Sequence, residues 1–190
     1  MFIEAWRAIY WMYESGSDMS GAISQLQVVY SPEEDRILFR VNTTEQSEFR
    51  FWFSRRYTML LLRVLHEHQA RDPDVVVQQA PEARQAVQSF KQEQSAQSAN
   101  MSKQFEASTR RPLGEDAILA HRLTYKINDD QLNLGIAPKE GQGINIGINR
   151  DINNNLTRLL LAAAKQGEWG ITIQAGHRPS EPAQEKPVIN

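Results

Sequence analysis

The chain contains no cysteine, which excludes disulfides, thiolate metal sites and cysteine nucleophiles at the outset. That absence suits a reducing compartment, and a cytoplasmic location is the expectation. A marked excess of either charge is also missing. The 21 Lys and Arg against 23 Asp and Glu leave a formal net charge of −2, without the broad basic field of a typical nucleic-acid binder. No apolar run reaches the roughly 18 residues that span a bilayer, so no membrane span is expected. The opening stretch MFIEAWRAIYWMYESGSDM is broken by Glu4, Arg7 and Glu14 and lacks a small-residue cleavage site, so it does not read as a signal peptide.

Catalytic and ligand-binding patterns are equally scarce. His66 and His68 stand two apart, a spacing that does not share one helix face. His121 and His177 have no acidic or histidine neighbour at ligand spacing, so no metal site is expected. Gly141, Gly143 and Gly147 fall in a hairpin, not between a strand and a helix N-terminus, which argues against a phosphate loop. Glu33, Glu34 and Asp35, like Asp129 and Asp130, sit in turns, where acidic residues serve local hydrogen bonding. No serine-elbow signature is visible. Nothing nominates a catalytic residue or a cofactor site, and the expectation is a non-enzymatic protein without cofactors.

What the sequence does contain is a repeat. Residues 26–65 and 121–160 align without gaps at an offset of 95, and their apolar positions coincide. Ile37, Phe39 and Val41 meet Leu132, Leu134 and Ile136. Phe49, Phe51 and Phe53 meet Ile144, Ile146 and Ile148. Up to Phe53 and Ile148 the apolar residues recur at every second position, as in strands buried on one face. Beyond them the spacing becomes that of one helix face, through Tyr57, Leu61, Val64 and Leu65 and through Ile152, Leu156, Leu159 and Leu160. Ser54 and Asn149 stand at the change, as N-caps, and Gly167 is placed to end the second helix. The expected fold is α+β: internally duplicated β-β-β-α units forming antiparallel sheets with helices on one face, related by a pseudo-twofold.

The division expected along the chain is an N-terminal aromatic helix or extension at 1–20 and a first repeat at 21–80. A largely helical linker at 81–117, a second repeat at 118–175 and a disordered tail at 176–190 follow. Phe2, Trp6, Ile9, Tyr10 and Tyr13 are expected to form one stripe of a short helix that packs on the domain or extends before Met19, or else of a membrane-surface or partner-docking helix. The linker opens with Pro81, is rich in Gln, Ala and Ser, and has no glycine through residue 108; STRRPLG at 108–114 reads as a loop. A fourth strand after each helix, at 75–80 and 171–176, stands as one of two readings; the other makes 75–80 the lead-in to the linker helix.

The repeats part company on the sheet face opposite the core. Pairing the inward residues sets Arg40 against Arg50 and aligns Val29, Leu38 and Trp52 in the first repeat, beside the row Gln27–Arg40–Arg50. The second repeat is expected to carry Thr124–Asn133–Gly147 and Arg122–Gly135–Asn145. An apolar row is costly to leave wet at about 25 cal/mol per Å². Two opposed arginines repel unless something anionic lies between them. Something is therefore expected to cover this face: the chain itself, a second protein (an identical chain included), or a single-stranded nucleic acid stacking on Trp52 with phosphates at Arg36, Arg40 and Arg50. The candidate interaction face is Val29, Arg36, Leu38, Arg40, Arg50 and Trp52, with Arg55 and Arg56 at the start of the first helix.

Three strands and a helix, twice in one chain, resemble the repeat of Whirly and PUR-type single-strand-binding proteins. Those repeats have four strands before the helix where this sequence has three. The resemblance implies a nucleic-acid-binding surface and assigns no residue. EFRFWFSRR followed by an aliphatic helix is similar to a set of uncharacterised bacterial proteins, over residues 24–65, and implies no activity.

Overall fold

The computed structural model describes residues 22–98 and 105–171. The N-terminal stretch 1–20, the tail 176–190 and all but the first residue of 171–176 lie outside the described residues. The fold is α+β. Strands β1 (Ile23–Ser31), β2 (Arg36–Thr43) and β3 (Glu48–Phe53) lead into helix α1 (Arg55–Ala70). A one-turn helix α2 (Pro73–Val76) and helix α3 (Pro81–Ser98) follow, then a two-residue strand β4 (Ile118–Leu119). Strands β5 (Arg122–Asn128), β6 (Gln131–Ala137) and β7 (Ile144–Ile148) lead into helix α4 (Arg150–Gln166). One sheet has the order β1-β2-β3-β4, with β4 parallel to β3; the other is the antiparallel set β5-β6-β7.

Both units therefore run β-β-β-α, and each switches from strand to helix at a polar cap. Ser54 accepts a hydrogen bond from the Tyr57 amide at 3.3 Å, and Asn149 from the Ile152 amide at 2.9 Å. Each satisfies one of the first-turn amides that a helix leaves without a partner. The inward residues Ile37, Phe39, Phe51, Phe53, Leu132, Leu134, Ile146 and Ile148 are all buried and belong to one continuous core with Leu61, Leu65, Leu156 and Leu160. The helices cross over: α4 lies against β1 and β2 of the first unit, and α1 against β5 of the second. They also pack on each other, with α3 against α4. Neither unit closes its core alone.

The ends of the crossed helices are fastened to the opposite unit. Beyond α4, the indole of Trp169 meets the Tyr30 ring edge-on at 5.8 Å, and both side chains donate to Asp35 Oδ1. At the end of α1, Tyr125 donates to Glu67 at 3.0 Å. Arg150 donates to the carbonyls of His68 and Asp129 and pairs with Asp130 at 2.6 Å. Its guanidinium thus satisfies a carbonyl in the last turn of α1.

Four expectations change. In the first hairpin, Ser31 pairs with Arg36 around a four-residue turn; in the second, Asn128 pairs with Gln131 around Asp129 and Asp130 alone. The tighter turn moves β5 two residues along β6, so Thr124 lies beside Gly135 and Asn145, and Lys126 beside Asn133 and Gly147. A shift of two keeps every side chain on its own face, which is why the core pattern conceals it. Second, of the two readings of 75–80 the strand gives way to the lead-in to α3: residues 73–76 form α2, because Asp72 caps the Asp74 amide and Pro73 supplies a helical first position. Third, among the described residues of the linker the helix is α3, and residues 105–117 run as an irregular strap back to the first sheet.

The second unit also begins later than expected. Ile118 and Leu119 belong to the first sheet, and the Ala120 amide still bonds to the Trp52 carbonyl. One residue on, the His121 amide bonds to Ala137 of β6. A single extended run thus edges both sheets.

Candidate interaction face

The outer face of the first sheet is laid out by its registers. Gln25, Gln27 and Val29 of β1 point the same way as Arg36, Leu38, Arg40 and Asn42 of β2 and Glu48, Arg50 and Trp52 of β3. Val29 pairs with Leu38, Leu38 with Trp52, and Trp52 with Leu119 of β4. The apolar row thus crosses all four strands, about 14 Å at the usual strand spacing. Its ends are open, with Val29 and Leu119 each 44% exposed, and Leu38 and Trp52 between them are half-buried. Leu119 was not part of the expected face. Two residues of strand leave too short a pattern to read, so no sequence signal placed it there.

Arg40 and Arg50 do lie opposite each other, and the anion between them is Glu48. Arg40 Nε donates to Glu48 Oε1 at 2.8 Å and Arg50 Nε to the same oxygen at 2.7 Å. The other oxygen accepts from the Ser108 amide at 3.1 Å, with Arg111 3.8 Å away. Glu48 is 1% exposed. Burial alone would raise its carboxyl, but the hydrogen bonds from Arg50 and Arg40 outweigh that and hold it below the usual carboxylate range. The signal for Glu48 was available: it precedes Arg50 by two on a strand, and so shares its face.

The strap carries the cover on this side. Phe105 stacks on the Arg40 guanidinium, 4.2 Å from ring centroid to Cζ. Asn42 donates to the Glu106 carbonyl at 2.6 Å, the Glu106 amide to Gln25, and the Glu48 amide to the Arg110 carbonyl at 2.8 Å. Arg50 reaches the Glu115 carbonyl at 2.9 Å, and Arg111 pairs with the Glu115 carboxylate. Two recesses remain open: a shallow one of about 390 Å³ between Leu38, Arg40, Arg50 and Trp52 and the strap residues 115–117, and a larger one of about 1140 Å³ along β1, where Gln25, Gln27 and Val29 meet strap residues 105–109.

The structure thus brings Val29, Leu38 and Trp52 into one row and Arg40 and Arg50 into one cluster. Arg36, on the same face, pairs with Glu34 at 3.2 Å. Arg55 and Arg56 stand exposed on the first turn of α1, not on a strand. The outer face of the second sheet has a different chemistry: Thr124, Lys126, Gln131, Asn133 and Asn145 are exposed around two glycines. A side chain at Gly135 would fall 2.2 Å from Thr124 Oγ1 and 2.9 Å from Asn145 Oδ1, so the glycine lets these two reach over the strand.

Among the described residues no cluster of three His, Cys, Asp or Glu is placed to hold a metal ion, and no helix is long and apolar enough to cross a membrane. Comparison with protein-family models, with curated proteins and with solved structures finds no match for this chain.

Proposed function

We propose that this protein is a non-enzymatic interaction module that takes a protein partner, or a second copy of itself, on the outer face of its first sheet. The observation that carries this reading is the row Val29–Leu38–Trp52–Leu119, apolar across every strand of one sheet and open at both ends. A contiguous exposed apolar strip bordered by polar side chains is the usual mark of a contact surface. The second sheet offers no counterpart, since its outer face is Arg, Thr, Lys, Asn, Gln and Gly, with Ala137 the one apolar residue its strands place there. Duplication of an ancestral β-β-β-α unit, followed by divergence of one face, accounts for both the shared pattern and this contrast. A cysteine-free chain suits action in the cytoplasm.

The single-stranded nucleic-acid reading has less behind it. Arg40 and Arg50 spend their charge on Glu48, and Phe105 takes the guanidinium face that a base would use. Trp52 alone is left for stacking.

A photo-crosslinking residue at Val29 or Leu119, compared with one at Asn133, tests the proposal in the full chain. Discrete adducts at the first two positions and none at the third are the expected result. Adducts at no position, or equally at all three, would overturn it. A mixed-sequence oligonucleotide titrated at low salt tests the second reading, for which binding lost in Arg50→Ala is the required result.

A further inference from the structure

Where α1 and α4 cross, the interface is polar and closed to solvent. Gln69, Asn153, Asn154 and Thr157 are all buried, and His68 beside them is 0% exposed. Gln69 Nε2 donates towards Asn153 Oδ1 at 3.0 Å, Asn154 Oδ1 at 3.1 Å and Thr157 Oγ1 at 3.2 Å. Thr157 also donates to Asn153 Oδ1 at 3.1 Å. With its oxygen held by two donors, Asn153 must present its amide nitrogen on the other side. That nitrogen donates to the Leu65 carbonyl at 3.0 Å and lies 2.7 Å from His68 Nδ1.

This geometry fixes the imidazole. Nδ1 faces an N–H and is therefore an acceptor, which leaves the ring neutral with its proton on Nε2. Nε2 itself is buried, and the Asp130 backbone near the ring favours a proton there without reaching full hydrogen-bond geometry. A second proton, on Nδ1, would point at the Asn153 amide, donor against donor. Turning Asn153 over moves the conflict without removing it: its nitrogen would then meet Gln69 Nε2, and the Leu65 carbonyl would lose its donor.

The charged groups around the ring divide. From α4, the Arg150 guanidinium opposes a positive imidazole. Asp130, from the β5–β6 turn, and Asp72, just past α1, favour one. Asp72 is already engaged by Lys91 of α3 at 2.7 Å and faces Arg150 at 3.6 Å. Glu67, next to His68 on α1, is taken by Arg71 and Tyr125. Burial is the largest influence, and with Arg150 it sets the balance below the ordinary histidine range.

We propose that the His68–Asn153 contact makes the crossing of α1 and α4 an acid-sensitive joint, closed with a neutral imidazole and loosened when His68 takes a proton. Because neither unit closes its core alone, loosening this crossing weakens the attachment of one unit to the other. The sign follows from linkage. A histidine whose value is lowered on folding contributes stability that is full above its ordinary 6.5 and is lost as the pH falls below it.

The test is urea denaturation of the full chain from pH 7.5 to 5, with the His68 Cε1 proton followed by NMR over the same range. The expected result is a folding constant that falls by up to about tenfold per pH unit below 6.5, with amide protection at Gln69 and Asn153 lost before that of β2. His68→Asn, which keeps an acceptor and cannot take the proton, is expected to flatten that slope. His66→Gln, removing the other histidine on α1 with a lowered value, is expected to leave most of it. A His68 resonance that titrates at 6.5 or above, or a slope unchanged in His68→Asn, would overturn the proposal. If His68→Asn does not fold, the resonance of the unaltered protein decides alone.

Discussion

Arg40 and Arg50 stand directly opposite each other on adjacent strands, and both close on one oxygen of Glu48 at 2.7 Å. The carboxylate side chain is 0% exposed and the arginines 19% and 22%, so the cluster is shielded enough for its charges to matter. Glu48→Gln leaves two guanidinium groups facing each other without an anion. The expected loss is about 3 kcal/mol in urea denaturation, the low end for breaking a buried pair because the arginines reach water. Adding Arg40→Gln should recover part of that loss, since it removes one of the two stranded charges. The linkage sign is that of a carboxylate lowered on folding: its contribution is full above 4.5 and is lost as the pH falls through the folded value. The gap between the unaltered protein and Glu48→Gln should therefore narrow below pH 4.5.

The same substitution should free the strap. Glu48 holds residues 105–117 through the Ser108 amide and by its place beside Arg111 and Arg50. Limited trypsin digestion should cut Glu48→Gln after Arg110 several-fold faster than the unaltered chain, Pro112 protecting the bond after Arg111. Equal rates would mean that the Asn42 side-chain bond to Glu106 and the Glu48–Arg110 backbone bond hold the strap unaided.

How much of this was legible in the sequence divides by the kind of interaction. The core followed from alternation, because a half-buried strand marks its inward face at every second residue, as Ile37, Phe39 and Val41 do. The caps Ser54 and Asn149 followed from the change of period. The Arg40–Arg50 opposition was legible as a problem, an anion being required between them, though its solution by Glu48 went unread. The β5 register was hidden because a shift of two preserves the face pattern, and only the turn length at Asp129 and Asp130 records it. Leu119 and the strap depend on long-range closure by residues without periodicity. Local pattern carries no trace of such contacts.

Gly167 ends α4 for a packing reason. Its φ is −79°, and the left-handed residue is Glu168 at φ 52°. A Cβ at Gly167 would sit 2.7 Å from the Tyr30 ring and 3.0 Å from Trp169 Nε1. Gly167→Ala should cost about 1–3 kcal/mol by overpacking. It should also disturb the edge-on pair of Tyr30 and Trp169, and near-UV circular dichroism should register this. An unchanged aromatic signal with full stability would show that the Tyr30 ring yields freely.

The two caps offer a test of whether the units behave as one cooperative structure. Ser54→Ala and Asn149→Ala each remove one acceptor from a first-turn amide and should each cost about 1 kcal/mol. They stand on different helices and share no partner, so the double variant should lose close to the sum of the two. Because α1 rests on β5 and α4 on β1, both losses should appear in a single unfolding transition. Two separated transitions, one moved by each substitution, would contradict a core shared through crossed helices.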